Sequence, residues 1–169
     1  RLINYGGHPT AKGMIAEVIP AHIQKCVDKV NDTDGIFTEI QANHVLLNEY
    51  KAGEGIFSHF DGPLFYPTIS TLSLGSHTVL EFTKPPEDDN YATSTEFKLL
   101  VERRSLLVLK DEMYNSYMHS IMEVDKDDIT DEKIKNLSST SFRESTEKMI
   151  ERETRYSLTI RHVPRTSKL

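Results

Sequence analysis

The sequence contains only one cysteine, Cys26. A single cysteine excludes an internal disulfide framework and any zinc or iron–sulfur site built from several cysteines. We therefore expect a reduced intracellular compartment, the cytoplasm and nucleus. No apolar run approaches the roughly 20 residues that a membrane-spanning helix needs, so we expect no membrane partner.

The sequence also lacks an initiating methionine, since its first residue is Arg1. We expect a chain that is truncated at its N-terminus, and any targeting signal upstream would be invisible. The 169 residues fit one domain, 1–169, and we expect a monomer. With 37% hydrophobic and 27% charged residues, the composition is that of a globular protein.

An excess of positive charge is missing too, because the formal net charge is −6. This balance argues weakly against a nucleic-acid partner. The acidic residues are concentrated, however: 123–132 holds six of them against one lysine, and 87–89 holds three in a row. We expect both stretches to be solvated loops. The remainder of the chain is close to neutral and could carry a basic groove.

Hydrophobic periodicity predicts one helix followed by short strands. Apolar residues recur at helical spacing within 21–30, and Pro20 suits the first turn. Residues 1–18 are expected to be irregular, because glycine and proline interrupt any period. Short runs bounded by turn residues predict strands at 44–50, 68–74, 78–83, 105–110, 117–121 and 156–163.

Residues 125–153 are charged and rich in serine and threonine. We expect a loop insertion there, either a disordered loop or a poor helix near 144–150. Six or more short strands with one flanking helix predict a mainly β fold, an antiparallel sandwich or barrel such as a jelly roll.

A candidate metal site starts from His59 and Asp61, which are two residues apart and would share one face of a strand. His119 is the best third ligand from a distant strand. Two imidazoles and one carboxylate can hold non-haem Fe(II) with open positions for a co-substrate and O₂, and the same set can hold a catalytic zinc ion. A His-x-Asp pair alone is common by chance. We interpret His44 and His162 as ordinary surface or strand histidines.

A second pattern is the strict alternation in 155–161, which places Arg155, Ser157, Thr159 and Arg161 on one face. Taken alone, this is most simply a half-buried strand with a polar outer face. If the polar face points inward, the arginines form an anion site, because a guanidinium binds a carboxylate bidentately. A dicarboxylate could then be anchored by arginine at one end and chelate the metal with the other, so the two patterns support each other.

Together these residues resemble the AlkB family of Fe(II)- and 2-oxoglutarate-dependent dioxygenases. The stretches from 43 to 80 are most similar to its AlkB homolog six branch. The matching residues cover most of the chain in one order: Asn48-Glu49-Tyr50, Gly53, His59-Phe60-Asp61, Ser73-Leu74-Gly75, His119 and Arg155 through Arg161.

The resemblance implies a double-stranded β-helix, which is a jelly-roll variant, and the cofactors Fe(II), 2-oxoglutarate and O₂. It implies that His59, Asp61 and His119 are the iron ligands. Thr159 would line the same cavity.

The resemblance also implies a 2-oxoglutarate site. Asn48 and Tyr50 would hydrogen-bond the co-substrate, and Arg155 would pair with its distal carboxylate. Arg161 would lie deeper, near the metal-binding end and the substrate. Ser157 stands where the family usually has asparagine, and its shorter side chain would reach less far.

For a nucleic-acid substrate, an aromatic side chain should stack on a flipped base. Tyr66 is the better candidate, because its hydroxyl suits a polar rim. We expect Phe57 and Phe65 to pack in the core. His77 and Lys84 could also border the opening.

The activity that the resemblance implies is oxidative demethylation or dealkylation of nucleic acid, with a single strand as the expected partner. Pro63 stands where AlkB repair enzymes carry an acidic residue that helps to recognise the damaged base. The same chemistry on a protein or a small molecule is therefore an alternative, and a catalytically weak binding module is another. A zinc hydrolase is opposed by the strand at 155–161, because a hydrolase needs no dicarboxylate anchor.

Overall fold

The computed structural model describes residues 1–85 and 94–168, so the acidic stretch at 87–89 lies outside the described residues. Its helices and strands are β1 (Leu2–Tyr5), β2 (Met14–Ile15), α1 (Ala21–Asn31), β3 (His44–Tyr50), β4 (Ile56–His59), β5 (Thr68–Leu74), β6 (Thr78–Thr83), β7 (Thr95–Val101), β8 (Leu106–Lys110), α2 (Glu112–Asn115), β9 (Met118–Ile121), β10 (Lys126–Asp128), β11 (Met149–Glu151), β12 (Arg155–Arg161) and β13 (Thr166–Ser167).

Two antiparallel sheets form the body of the described chain. One has five strands in the order β1-β3-β12-β5-β8, and the other has four in the order β4-β9-β6-β7. Ile69 and Leu109 of the first sheet pack against Leu80 and Phe82 of the second. The mainly β, jelly-roll fold predicted from the sequence is therefore confirmed.

Helix α1 covers the outer face of the five-stranded sheet. Its buried Ile23, Val27 and Val30 pack against Leu158 and Ile160 of β12. Because side chains alternate along a strand, this contact turns the polar residues of β12 toward the other sheet. The packing of one helix thus decides which face of β12 points into the molecule. Across the described residues, no helix is both long and apolar enough to cross a membrane.

The expectation that residues 1–18 are irregular is wrong. β1 pairs antiparallel with β3 from Leu2 opposite Asn48 onward, and β2 pairs with β13. Gly6, with a φ of +90°, comes after β1, and a Cβ there would lie only 2.2 Å from the carbonyl oxygen of Asn43. This glycine therefore marks a close approach of two backbones at the end of a strand.

The expectation for 125–153, a disordered loop or a poor helix, is also wrong. β10 pairs antiparallel with β11, and the segment covers the outer face of the four-stranded sheet. Ile129, Ile134 and Ile150 are buried there against Val79 and Leu100. Leu137 and Phe142 pack against the same cluster, so a few apolar side chains order the segment despite its mostly polar composition.

Candidate active site

A cavity of about 230 Å³ lies between the two sheets. The inward faces of β3 and β12 form one wall, and the ends of β4 and β9 form the other. Its lining contains all nine residues predicted for the metal and the co-substrate, namely Asn48, Tyr50, His59, Asp61, His119, Arg155, Ser157, Thr159 and Arg161. Residues up to 113 positions apart in sequence thus share one space, because β3 and β12 are neighbouring strands and the other sheet faces them.

The three predicted metal ligands lie side by side. His59 ends β4 and is the cross-strand partner of His119 in β9, and their ring centroids are 4.5 Å apart. Asp61 lies in the coil that follows β4, so the shared-strand argument for its placement is wrong. Its Oδ2 nevertheless lies 3.8 Å from Nε2 of His119.

One hydrogen bond of the His59 ring determines which of its nitrogens is available to a metal ion. Nδ1 of His59 lies 2.8 Å from the carbonyl oxygen of Phe57, so Nδ1 carries the proton and donates it. The lone pair of Nε2 is then available to a metal. Burial lowers the pKa of His119, Asp61 opposes this shift and His59 adds to it. Neutral imidazoles are the form that binds metal ions.

The donor set fits Fe(II), since two imidazoles and one carboxylate are borderline to hard ligands that share one cavity. Ligands about 2.1 Å from one ion lie roughly 3 Å apart at right angles, so Asp61 and His119, at 3.8 Å, would have to move closer together to bind one ion. Within residues 1–85 and 94–168, no three His, Cys, Asp or Glu side chains are already placed so that they could hold a metal ion together. One oxygen of Asp61 is taken by Arg161, and the other faces His119.

Arg155 lies in the cavity as a buried cation. It is 3% exposed, and its Nη2 and Nε donate to Oγ of Ser73 at 2.8 and 3.3 Å. Among the described residues it pairs with no carboxylate. Burial lowers its pKa to about 10, and Tyr50, whose ring centroid lies 5.8 Å away, opposes the shift. A buried charge is costly unless it is paired, so this guanidinium suits an anionic ligand. Sequence reasoning missed Ser73 as its support, although Ser73 belongs to the Ser-Leu-Gly motif.

Arg161 has its anionic partner inside the protein. Its Nη1 donates to Oδ1 of Asp61 at 3.2 Å, and its guanidinium lies 4.0 Å from the ring centroid of Phe65. Burial lowers the pKa of Arg161, and Asp61 opposes that shift. The two arginines of β12 therefore differ: Arg161 contacts the carboxylate of Asp61, whereas Arg155 has no carboxylate partner among the described residues.

The remaining predicted co-substrate residues lie in register around the arginines. Tyr50 is the cross-strand partner of Arg155, and Asn48 is that of Ser157. Thr159 lies opposite Thr71 of β5 and lines the same cavity. Burial raises the pKa of Tyr50, so its hydroxyl remains a donor at neutral pH. The wall facing the predicted metal ligands is therefore rich in hydrogen-bond donors.

The predicted substrate residues divide into two groups. Tyr66 is partly exposed, and its amide donates to the carbonyl of His162 directly after β12. Phe65 packs against Arg161, as expected for an interior aromatic. Phe57, in contrast, is 88% exposed, so the prediction of a core position is wrong. It points outward from β4, which is an edge strand.

His77 does not line the cavity between the sheets, which corrects its prediction as a substrate residue, although it shares a small neighbouring pocket with Tyr50 and Arg155. Its Nε2 is 3.3 Å from Oδ2 of Asp127, and both side chains are buried. It lies directly before β6, five residues from Phe82, the cross-strand partner of His119, which is roughly 16 Å along the strand. Lys84 lies over the ring of Tyr117.

Tyr114 is a site residue that sequence reasoning missed. Its hydroxyl contacts the carbonyl oxygens of Gly62 and Phe65 at 2.6 and 3.2 Å. These bonds tie α2 to the loop that follows Asp61. No motif predicts this contact, because the partners are backbone atoms about 50 positions away.

The family model for the 2OG-Fe(II) oxygenase superfamily matches residues 3–161. The chain is 46% identical over 171 aligned positions to a zebrafish (Danio rerio) protein named "Probable RNA/DNA demethylase ALKBH6", covering 98% of this chain and 71% of that protein. It is 32% identical over 149 positions to the uncharacterized protein L905 of Acanthamoeba polyphaga mimivirus, covering 86% of this chain and 60% of that protein.

Among solved structures, that of OsALKBH1 matches with a TM-score of 0.52 at 15% identity, covering 95% of this chain and 77% of that one. At this identity the match supports the fold alone. The chain belongs to the 2OG-Fe(II) oxygenase superfamily, a class of iron- and 2-oxoglutarate-dependent dioxygenases. Within it, the chain is an AlkB protein, and the resemblance to the homolog six branch is confirmed.

Proposed function

We propose that this dioxygenase removes methyl groups from nucleic acid by oxidising the N-methyl carbon. The observation that carries the proposal is a cavity that brings two histidines and a carboxylate together with Arg155, a buried cation without a carboxylate partner among the described residues. The name of the zebrafish relative, a probable RNA/DNA demethylase, supports nucleic acid as the substrate.

In this proposal His59, Asp61 and His119 hold Fe(II), and His59 is oriented by its bond to Phe57. Bound together, Fe(II), 2-oxoglutarate and O₂ supply the oxidation of a C–H bond, and a hydroxylated N-methyl group leaves as formaldehyde. The contribution of the protein is to place the reacting carbon and to exclude water.

Arg155 binds the distal carboxylate of 2-oxoglutarate, supported from behind by Ser73. Asn48 and Tyr50 donate hydrogen bonds to the same molecule from β3. Ser157 and Thr159 complete the polar wall. Arg155 and Arg161 lie six residues apart on β12, roughly 20 Å along the strand, so they line opposite ends of the cavity.

The decisive experiment is a screen of methylated oligonucleotides and peptides with Fe(II) and 2-oxoglutarate, using mass detection of the loss of one methyl group. We expect loss from an oligonucleotide. His59→Ala and Asp61→Ala should abolish 2-oxoglutarate turnover, whereas His162→Ala should retain it, because His162 bonds to the carbonyl of Gln41 outside the cavity. Equal activity in all three variants would contradict the site assignment.

We propose single-stranded nucleic acid as the preferred partner, because Tyr66, an exposed aromatic five residues after Asp61, can stack on a base that is already unpaired. Methyl loss from matched single- and double-stranded oligonucleotides tests this preference. We also propose a monomer in the cytoplasm and nucleus, which sedimentation and cell fractionation would test.

The same chemistry on a protein side chain is the second candidate, and Pro63 favours it. This exposed residue replaces the acid that would read a damaged base. Methyl loss from peptides alone in the same screen would select this candidate over the first.

A further inference from the structure

His44 is a fully buried histidine that the proposed site does not use. It starts β3, and its Nε2 lies 3.0 Å from Oδ1 of Asn4 in β1. An amide oxygen only accepts hydrogen bonds, so Nε2 of His44 carries the proton. Nδ1 is then a lone-pair acceptor, and among the described residues it has no hydrogen-bond partner.

Arg161 has the complementary atom. Its Nε–H is buried and without a partner among the same described residues, while its Nη1 donates to Asp61. His44 and Arg161 are cross-strand partners in the antiparallel pair of β3 and β12, so their Cα atoms lie about 5 Å apart. One ring, that of Phe65, contacts both side chains.

A buried donor and a buried acceptor that both lack partners cost free energy, and joining them removes both costs. We propose that His44 is a positioning residue, which accepts a hydrogen bond from Nε of Arg161, directly or through one water, and thereby holds the guanidinium against Asp61. The contacts then run from Asn4 through His44 and Arg161 to a metal ligand. The inference rests on the proposed iron site.

Through this arrangement the first strand of the chain would support a site whose proposed ligands come from other strands. β1 is the outermost strand of its sheet, yet Asn4 fixes the tautomer of His44 and therefore the direction of its lone pair. Groups that orient metal ligands from behind typically change metal affinity 10- to 100-fold when they are removed.

The test measures Mn(II) binding to the 2-oxoglutarate-loaded protein by calorimetry. His44→Phe keeps a flat ring but has no acceptor, and we expect the dissociation constant to rise about tenfold. His44→Gln can still donate to Asn4 and accept from Arg161, so it should bind like the original protein. Val27→Ala, a buried change in α1, should lower the thermal midpoint without changing the affinity.

Equal weakening by His44→Phe and His44→Gln, or unchanged affinity in His44→Phe, would overturn the inference. A second readout does not depend on a folded variant. In the ¹⁵N-labelled apoprotein, Nε–H of Arg161 should exchange slowly with solvent, and the His44 ring should carry its proton on Nε2. Fast exchange or the opposite tautomer would also overturn it. If Asp61→Ala binds Mn(II) normally, the iron-site assignment fails instead.

Discussion

At the scale of single residues, the site depends on one charge that the described chain does not neutralise. Arg155 is buried beside Ser73 and Tyr50, whereas its neighbour in β12, Arg161, is paired with Asp61. A buried guanidinium without a carboxylate partner lowers the free energy of unfolding, and an anionic ligand that pairs with it offsets this loss. Removing Arg155 should therefore weaken the binding of 2-oxoglutarate without lowering the free energy of unfolding of the ligand-free protein.

We expect Arg155→Met to raise the KM for 2-oxoglutarate by roughly 10- to 100-fold, because a charge-assisted hydrogen bond contributes about 1.5–3 kcal/mol. The free energy of unfolding without 2-oxoglutarate should stay the same or increase. Succinate formation and urea denaturation measure the two quantities, and Arg103→Met, an exposed change, is the matched control. A normal KM in Arg155→Met would exclude this residue as the anchor.

His44 predicts how stability depends on pH. Its pKa is lowered to about 3, first by burial and then by the charges of Arg161 and His8. Below pH 6.5 the His44 ring is protonated in the unfolded chain but stays neutral in the folded chain. The free energy of unfolding therefore falls as the pH drops from 6.5 toward 3. Between pH 6.5 and 5 the loss should be about 2 kcal/mol. Urea denaturation of His44→Gln should show a correspondingly smaller loss over this range, and an identical loss would contradict the assignment.

At the scale of elements, the segment 125–153 is held by a buried ion pair. Both guanidinium nitrogens Nε and Nη2 of Arg152 donate to Asp127, at 2.7 and 2.6 Å, and Nη1 donates to the carbonyl of Met122. His77 contacts the same carboxylate. Arg152 accordingly holds the pKa of Asp127 below its usual range, although burial opposes this.

We expect Arg152→Met to lower the free energy of unfolding by roughly 3–5 kcal/mol, because it leaves a buried carboxylate unpaired. The exposed pair of Lys126 and Glu151 in the same two strands offers the control, and Lys126→Met should leave the urea midpoint nearly unchanged. Urea denaturation compares the two variants. Equal midpoints for both would mean that the segment is held by its isoleucines alone.

The same segment shows what sequence patterns can predict here. The strands at 44–50, 68–74 and 78–83 were predictable to the residue, since alternation and flanking turns are local signals. β12 was predictable because its alternation is strict. The order of 125–153 was not, because its packing comes from three isoleucines and a salt bridge that only the tertiary structure brings together. Likewise Tyr114 and Ser73 act on atoms far away in sequence.

At the scale of the whole molecule, the proposed ligands join the two sheets. Arg155 and Tyr50 belong to the five-stranded sheet, whereas His59 and His119 belong to the four-stranded one. A metal ion chelated by 2-oxoglutarate would therefore contact both, and binding should stabilise the fold as one unit. A ligand confined to one sheet would leave the contact between the sheets unchanged.

We expect Mn(II) and 2-oxoglutarate together to raise the thermal midpoint by more than the sum of their separate effects. At 100 times the dissociation constant, a ligand adds about 2.7 kcal/mol, which corresponds to roughly 5–11 °C for a chain of this size. Differential scanning calorimetry of the four combinations measures the coupling. In Arg155→Met the shift due to 2-oxoglutarate should disappear while that due to Mn(II) remains, because the metal ligands are untouched. Strictly additive shifts in the original protein would mean that the two ligands occupy separate sites and not the shared cavity.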